Sequence, residues 1–339
     1  MKSKKVPRIR LEKRTPLQDV IPLDTPFHLF VDPSSACNFR CRFCFNHEKS
    51  RSHHHIMKFE LFVKIVSDLK KFPQKLKVLR LYAFGEPLLN RRLPDMIRYA
   101  KENGVAETID FTTNGSWLSP EKNILLIGSG LDAMIVSVGG ISAERFEEVC
   151  GVKIDFNAYV NNVRHFYDNR GKCRLHIKTT NGNVRKEEED EFYRIFGDIC
   201  DEISIDNVTP IWPDLDNSTT IADPTRNIYN REIKKVEVCP YLFYHMTVNA
   251  DGTVSTCFVD WEQKNIIGNV NNESLSDIWN GAKLNAFRRD HLMMNRARHG
   301  ICAHCGQLIY GMADNIDEYA AEILEKLDKN HPDIFQDSK

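Results

Sequence analysis

Apolar residues recur along this chain in two alternating rhythms. Phe27 to Val31 is a short apolar run closed by Asp32-Pro33, and it reads as a strand. Phe59, Phe62, Val63, Val66 and Leu69 fall at helical spacing and predict a helix over 59–69. Lys77 to Phe84, carrying Val78, Leu79, Leu81 and Tyr82, reads as a buried strand, and Leu93 to Asn103 as a helix stopped by Gly104. The same reading gives strands over 106–111, 131–138, 173–179 and 202–205, and helices over 120–127, 156–168 and 187–196. Strands alternating with helices imply parallel strands joined by right-handed crossovers. Six such strands are too few for a closed eight-stranded barrel.

The pattern then changes. Asn207 to Lys235 is polar, rich in Asp, Asn, Pro and Thr, and lacks a period, as expected of a linker or flap. Met246–Asn249 and Thr253–Cys257 flank Ala250-Asp251-Gly252, a hairpin signal. Short helices are expected over 274–279 and 282–291, and an amphipathic helix over 318–327. The expected organisation is an N-terminal extension (1–26), a barrel-like domain (27–206), a linker (207–236), a small second domain (237–312) and a C-terminal helix (313–339).

Composition narrows the function classes. Among 339 residues, 42% are hydrophobic and 27% charged, enough to bury a core and stay soluble. A net charge of −1 calls for neither nucleic acid nor a membrane surface. The basic start, Lys2 to Arg14, has no apolar core of a signal peptide. No apolar run approaches the roughly 20 residues of a membrane span. The 10 cysteines are clustered and read as metal or cluster ligands in a reducing cytoplasm.

Cys37, Cys41 and Cys44 form a C-x3-C-x2-C run that one short loop can wrap around a metal centre. An iron–sulfur cubane is ordinarily held by four cysteines. Three leave one iron open for chemistry. With His47 the same three thiolates would also suit zinc. Cys239, Cys257, Cys302 and Cys305 form a second set, fit for a fully ligated cluster or a zinc ribbon. Three short motifs fall at expected strand ends: Phe84-Gly85-Glu86-Pro87, Thr113-Asn114-Gly115 and Ser137-Val138-Gly139-Gly140. Parallel α/β barrels bind ligands at those ends. The His53-His54-His55 run reads as a solvated loop. Cys173 and Cys200 read as core residues, and Cys150 lies on a segment that could reach the cavity.

The first cysteine run, with Phe43 at the aromatic position, resembles the signature of the radical S-adenosylmethionine (SAM) superfamily. The strand-end motifs resemble that family's G-G-E-P, T-N-G and ribose-binding serine elements, in the same order, with Phe84 in place of the first glycine. The resemblance implies an open, partial (β/α)6 TIM-like barrel. It implies a [4Fe–4S] cluster on Cys37, Cys41 and Cys44, and SAM contacts from Phe43, Gly85, Glu86, Pro87, Asn114 and Ser137. The second set, C-x12-G-x4-C followed by C-x2-C, resembles the SPASM/twitch extension, a small α+β domain binding auxiliary clusters. Nothing after Cys305 is a cysteine, so one auxiliary cluster is implied.

The layout is similar to the 2-deoxy-scyllo-inosamine dehydrogenase group. That similarity implies oxidation of an alcohol of a sugar, nucleotide-sugar or aminocyclitol, with the auxiliary cluster as electron acceptor and a flavodoxin or ferredoxin as reductant. The alternatives are a carbohydrate epimerase with Cys150 as hydrogen-atom donor, or a peptide or protein maturase. The stretch before Phe27 is short for a maturase's recognition domain.

Overall fold

The computed structural model describes residues 1–7, 14–47, 54–213, 215 and 223–330. His53 and parts of the N-terminal extension, linker and C-terminus lie outside them. Ten strands are described: β1 (Lys4–Lys5), β2 (His28–Val31), β3 (Leu76–Arg80), β4 (Ala106–Thr113), β5 (Ala133–Ser137), β6 (Arg174–Thr180), β7 (Glu202–Asp206), β8 (His245–Val248), β9 (Thr253–Ser255) and β10 (Ile266–Asn269). They form one sheet in the order β1-β7-β6-β5-β4-β3-β2-β8-β9-β10.

β2 to β7 are parallel and adjacent in chain order, the open six-stranded barrel expected. Helices 59–69, 93–103, 120–128, 156–169 and 189–196 make the crossovers. One crossover carries a helix the periodicity did not suggest, Ala143–Cys150, capped by the Ser142 side chain and stopped by left-handed Gly151. β3 ends at Arg80 rather than Phe84, so residues 81–84 belong to the loop above the sheet.

Register divides the strands into two faces. Leu29, Leu79, Ile109, Phe111, Met134, Val136, Leu175, Ile177 and Ile203 are all 0% exposed and pack under the crossover helices. The alternate residues turn into the barrel, and most are polar, with Phe30 and Ile135 among them. Arg80 pairs with Asp110 at 3.2 Å across β3 and β4. His176 Nε2 lies 3.0 Å from Ser204 Oγ, which donates to Asp206 at 3.1 Å. Buried polar groups cost free energy unless partnered, so a lumen built this way is organised for polar contents.

The C-terminal hairpin extends the barrel sheet. β8 runs parallel to β2, from His28↔His245 to Val31↔Val248, and β9 and β10 add antiparallel strands beyond it. β8 covers the edge that β2 would otherwise expose. Trp279 is 0% exposed and its indole N–H donates to Leu23 O at 2.8 Å, which fixes the helix 275–280 to the segment before β2.

Candidate cluster and cofactor sites

The cysteine loop leaves β2 and crosses the C-terminal mouth of the barrel. Its backbone is fastened to the end of helix 143–150: Arg40 N–H donates to Cys150 O at 2.8 Å and Arg42 N–H to Val149 O at 3.1 Å. Those carbonyls belong to the last helical turn, where no intrahelical partner exists, so loop and helix complete each other. Cys37 lies within electrostatic range of Cys41, Cys44 and Glu86, and burial pushes its thiol up to about 12. Cys41 is held above its ordinary value by the neighbouring Cys150 thiol and by burial. Thiols raised in this way become thiolates when a bound cation supplies charge. Phe43 packs half-buried against the core, and His47 turns its Nδ1 to Arg40 O at 3.3 Å.

The loop after β3 docks on the cysteine loop through backbone at Glu86 and through the Asn46 side chain, whose amide donates to Phe84 O at 2.8 Å. Glu86 N–H donates to Ala36 O at 2.8 Å. A Cβ on Gly85 would lie 2.2 Å from both Ala36 O and Ser34 O, so only glycine fits. Glu86 is fully buried, and its carboxylate accepts from Leu88 N–H (3.0 Å), Thr113 Oγ1 (2.6 Å) and Asn114 N–H (2.7 Å). Desolvation holds Glu86 above the usual carboxylate range despite these donors. Pro87 opens the short turn that follows.

Asn114 is a second strut. Its Nδ2 donates to Asn38 Oδ1 at 2.9 Å, and Asn38 donates to Ser116 Oγ at 2.9 Å. Gly115 takes φ +76, the left-handed conformation an Asn-Gly turn requires. Ser137 ends β5, half-buried, on the lumen face. The structure therefore brings Cys37, Cys41, Cys44, Glu86 and Asn114 into one connected assembly. Asn38, Thr113 and Tyr159, whose hydroxyl donates to Asn114 O at 3.1 Å, belong to it and were not singled out from sequence.

The second cysteine set also converges. Cys239 and Cys257 lie within electrostatic range of each other and of Cys302 and Cys305. Val259 N–H donates to Cys257 Sγ at 3.2 Å and Asn265 Nδ2 to Cys302 Sγ at 3.5 Å. Burial pushes Cys302 up to about 12. Amide donors aimed at sulfur suit cluster-bound thiolates. Four thiols within electrostatic range of one another, with such donors, would suit a fully ligated cluster.

Between the two sets lies a small aromatic cluster. Phe45, next to Cys44, packs with Phe84, Trp212 and Trp261. The Trp261 indole donates to Pro213 O at 3.1 Å. Phe84, the residue departing from the family's first glycine, is 1% exposed in this cluster.

Comparison with known proteins agrees with this geometry. The model of the radical SAM superfamily matches residues 31–199, and that of an iron–sulfur cluster-binding domain, SPASM, matches 239–306. A tungsten-containing aldehyde ferredoxin oxidoreductase cofactor-modifying protein of Pyrococcus furiosus is 24% identical over 309 residues, 77% of this chain and 83% of its own length. The S-adenosyl-L-methionine-dependent 2-deoxy-scyllo-inosamine dehydrogenase of Niallia circulans is 20% identical over 282 residues, 82% of this chain and 92% of its own length. Among solved structures, BtrN in complex with AdoMet and 2-DOIA superposes with a TM-score of 0.56 at 19% identity, covering 86% of this chain and 97% of BtrN. Among the described residues, no helix is long and apolar enough to cross a membrane.

Proposed function

Because the chain is a radical SAM protein with a SPASM domain, binding SAM and iron–sulfur clusters, we propose that it oxidises an alcohol of a polar small molecule, a sugar, nucleotide-sugar or aminocyclitol. When bound, the first cluster supplies the electron that cleaves SAM to a 5′-deoxyadenosyl radical, and the second accepts the electron the substrate gives up. Cys37, Cys41 and Cys44 would hold the first, and Cys239, Cys257, Cys302 and Cys305 the second. Glu86 and Asn114 fix the loops that receive SAM, with Gly85, Pro87, Phe43 and Ser137 lining its place.

The observation carrying the substrate class is the polar lumen. Below the cysteine loop, Lys178 on β6 lies 3.9 Å from Asp206 on β7, both largely buried, and the Ser204–His176 pair continues the wall downward. A hydroxylated substrate there finds donors and acceptors on several strands, and losing a proton from its carbinol oxygen requires such an acceptor. The dehydrogenase relative acts on an aminocyclitol, which fits this wall. A flavodoxin or ferredoxin would serve as reductant.

Oxidation is favoured over epimerisation because Cys150, the thiol an epimerase would need, is 1% exposed. Similarity to the cofactor-modifying protein of Pyrococcus furiosus supports a second reading, modification of a bound organic cofactor. Turnover in deuterium oxide, with aminocyclitols and nucleotide-sugars as probes, decides. A ketone with one 5′-deoxyadenosine per product and no deuterium at the reacting carbon supports oxidation. Deuterium at an inverted carbon, lost in Cys150→Ala, would overturn it.

A further inference from the structure

The lumen has a second polar flank, on the far side of β4 and β5 from the β6–β7 wall, where β2, β3 and β8 meet. Register puts Arg80 and Thr247 at one level of it, one on each side of Phe30. Leu79 and Leu81 beside Arg80 are 0% exposed on the other face, so the 20% of the Arg80 side chain that is exposed opens into the lumen.

Arg80 is fixed at one corner. Its Nη1 donates to Tyr82 Oη at 3.2 Å and lies 3.2 Å from Asp110 Oδ2. Its guanidinium carbon stands 5.6 Å from the centre of the Phe30 ring, which is itself stacked on Phe258 at 4.9 Å. Among the described residues, Arg80 Nε and Nη2 donate no hydrogen bond to protein. Those two N–H groups are the edge of a guanidinium that grips two oxygens at once.

The same flank buries polar atoms that have no partner among the described residues: His245 Nε2, Thr247 Oγ1 and Thr112 Oγ1. His245 and Thr247 are 1% and 0% exposed and share the lumen face of β8, since Met246 and Val248 alternate with them into the core. Thr112 follows Asp110 on the lumen face of β4, alternating with buried Phe111. Buried polar atoms are almost always hydrogen-bonded, so this corner suits a partner bearing several oxygens. An oxyanion there would meet the Asp110 carboxylate as well as the guanidinium, whereas neutral hydroxyls meet no such repulsion.

We propose that Arg80 binds a vicinal pair of substrate hydroxyls through Nε–H and Nη2–H, with His245 and Thr247 completing the same subsite. Arg80 is then a specificity-determining residue for a polyol ring. The inference deepens the reading that the lumen receives a hydroxylated small molecule, and rests on it.

The experiment is isothermal titration calorimetry on the reconstituted, SAM-loaded full chain. The probes are myo-inositol, 2-deoxystreptamine and UDP-glucose, which carry vicinal hydroxyls, cis-1,3,5-cyclohexanetriol, which carries none, and inorganic phosphate. Wild type should bind at least one of the first three about tenfold more tightly than the triol or phosphate, the worth of one hydrogen bond to a charged group. Arg80→Lys keeps the charge beside Asp110 and loses the fork, so polyol binding should weaken about tenfold while SAM binding stays. Polyol binding at wild-type strength in Arg80→Lys overturns the subsite alone. Loss of SAM binding together with polyol binding also overturns it, since that reduces Arg80 to packing. Phosphate as the tightest ligand, lost in Arg80→Lys, makes this an oxyanion site and overturns the proposal. If Arg80→Lys fails to fold, Thr247→Val decides: weakened polyol binding with SAM binding intact supports the subsite, and unchanged polyol binding overturns it. Failure of wild type to bind any of the three polyols overturns the reading of the lumen itself, and the subsite with it.

Discussion

Trp261 stacks on Phe45, with ring centroids 5.6 Å apart and planes within 15° of parallel. The first ring follows Cys257 by four residues and the second directly follows Cys44, so the contact joins the two cysteine-bearing loops. Phe84 closes it at 6.0 Å from Phe45. Aromatic pairs add specific geometry to the burial of area, which makes this seam a fixed joint.

Trp261→Ala should therefore open the seam and cost about 3–5 kcal/mol, the usual range for truncating a buried aromatic. Phe84→Gly, which restores the family's residue, should also destabilise, because the space is filled here. Chemical denaturation of the two variants checks both. A stability within about 0.5 kcal/mol of wild type, the range of a neutral surface change, would place these rings outside the core.

Gly85→Ala should separate the loop after β3 from the cysteine loop. The added methyl would meet two backbone carbonyl oxygens at 2.2 Å, and backbone cannot step aside as a side-chain end can. SAM binding by equilibrium dialysis should fall below detection. Gly128→Ala is the control: nothing lies within 4 Å of its Cβ, at the end of helix 120–128, and it should leave binding unchanged.

Much of this arrangement was legible in the chain. Periodicity locates six parallel strands within a few residues, and spacing separates the cysteines into two sets. Helix 143–150 was missed although its signals are local: the Ser142 cap, the Phe146–Val149–Cys150 spacing and the Gly151 stop. The run is eight residues, and its cysteine drew attention as a thiol on a segment that could reach the cavity instead. The pairing of β8 with β2 could not be read at all, because it joins residues more than two hundred positions apart through backbone bonds without a motif. In the sequence Phe84 is only a departure from the family's first glycine, and the fold shows it filling a cluster with Phe45 and Trp261. Glu86 was read as a SAM ligand, and its three intramolecular donors come from loops that only the fold brings together.

Acid should destabilise the protein partly through His245. Burial, aided by neighbouring Arg80, lowers its pKa from 6.5 to about 3. A base depressed in the folded state contributes stability above its unfolded value of 6.5, and that contribution is lost as pH falls toward 3. His245→Phe should retain the packing against Phe30 and Phe258 and remove one proton from the linkage. Across pH 6 to 4, the wild type should lose about 1.4 kcal/mol per pH unit more than the variant. Parallel pH profiles in urea titrations would show that His245 is not held neutral.

Replacing Cys37, Cys41 and Cys44 by Ala should halve the iron and sulfide of the reconstituted protein and abolish reductive SAM cleavage. Replacing Cys239, Cys257, Cys302 and Cys305 should halve the metal while leaving some SAM cleavage, because the proposed open iron and the loops that receive SAM belong to the first set. Equal metal loss with unequal loss of cleavage is the expected outcome. Stoichiometric zinc in either set would contradict the assignment.

Glu86→Ala tests whether the carboxylate serves SAM, the fold or both. It removes the acceptor of Thr113 Oγ1, Leu88 N–H and Asn114 N–H, and it removes the charge that would face the SAM ammonium. A hydrogen bond to a charged group contributes about 1.5–3 kcal/mol, or about one to two decades of affinity. Glu86→Gln separates the two roles, since it keeps the shape and one carbonyl acceptor while losing the charge. If the charge grips SAM, both variants should bind SAM at least tenfold more weakly, and Gln should melt closer to wild type than Ala. Should Glu86→Gln bind SAM as wild type does, the three donors of Glu86 explain its burial and the ammonium is held elsewhere.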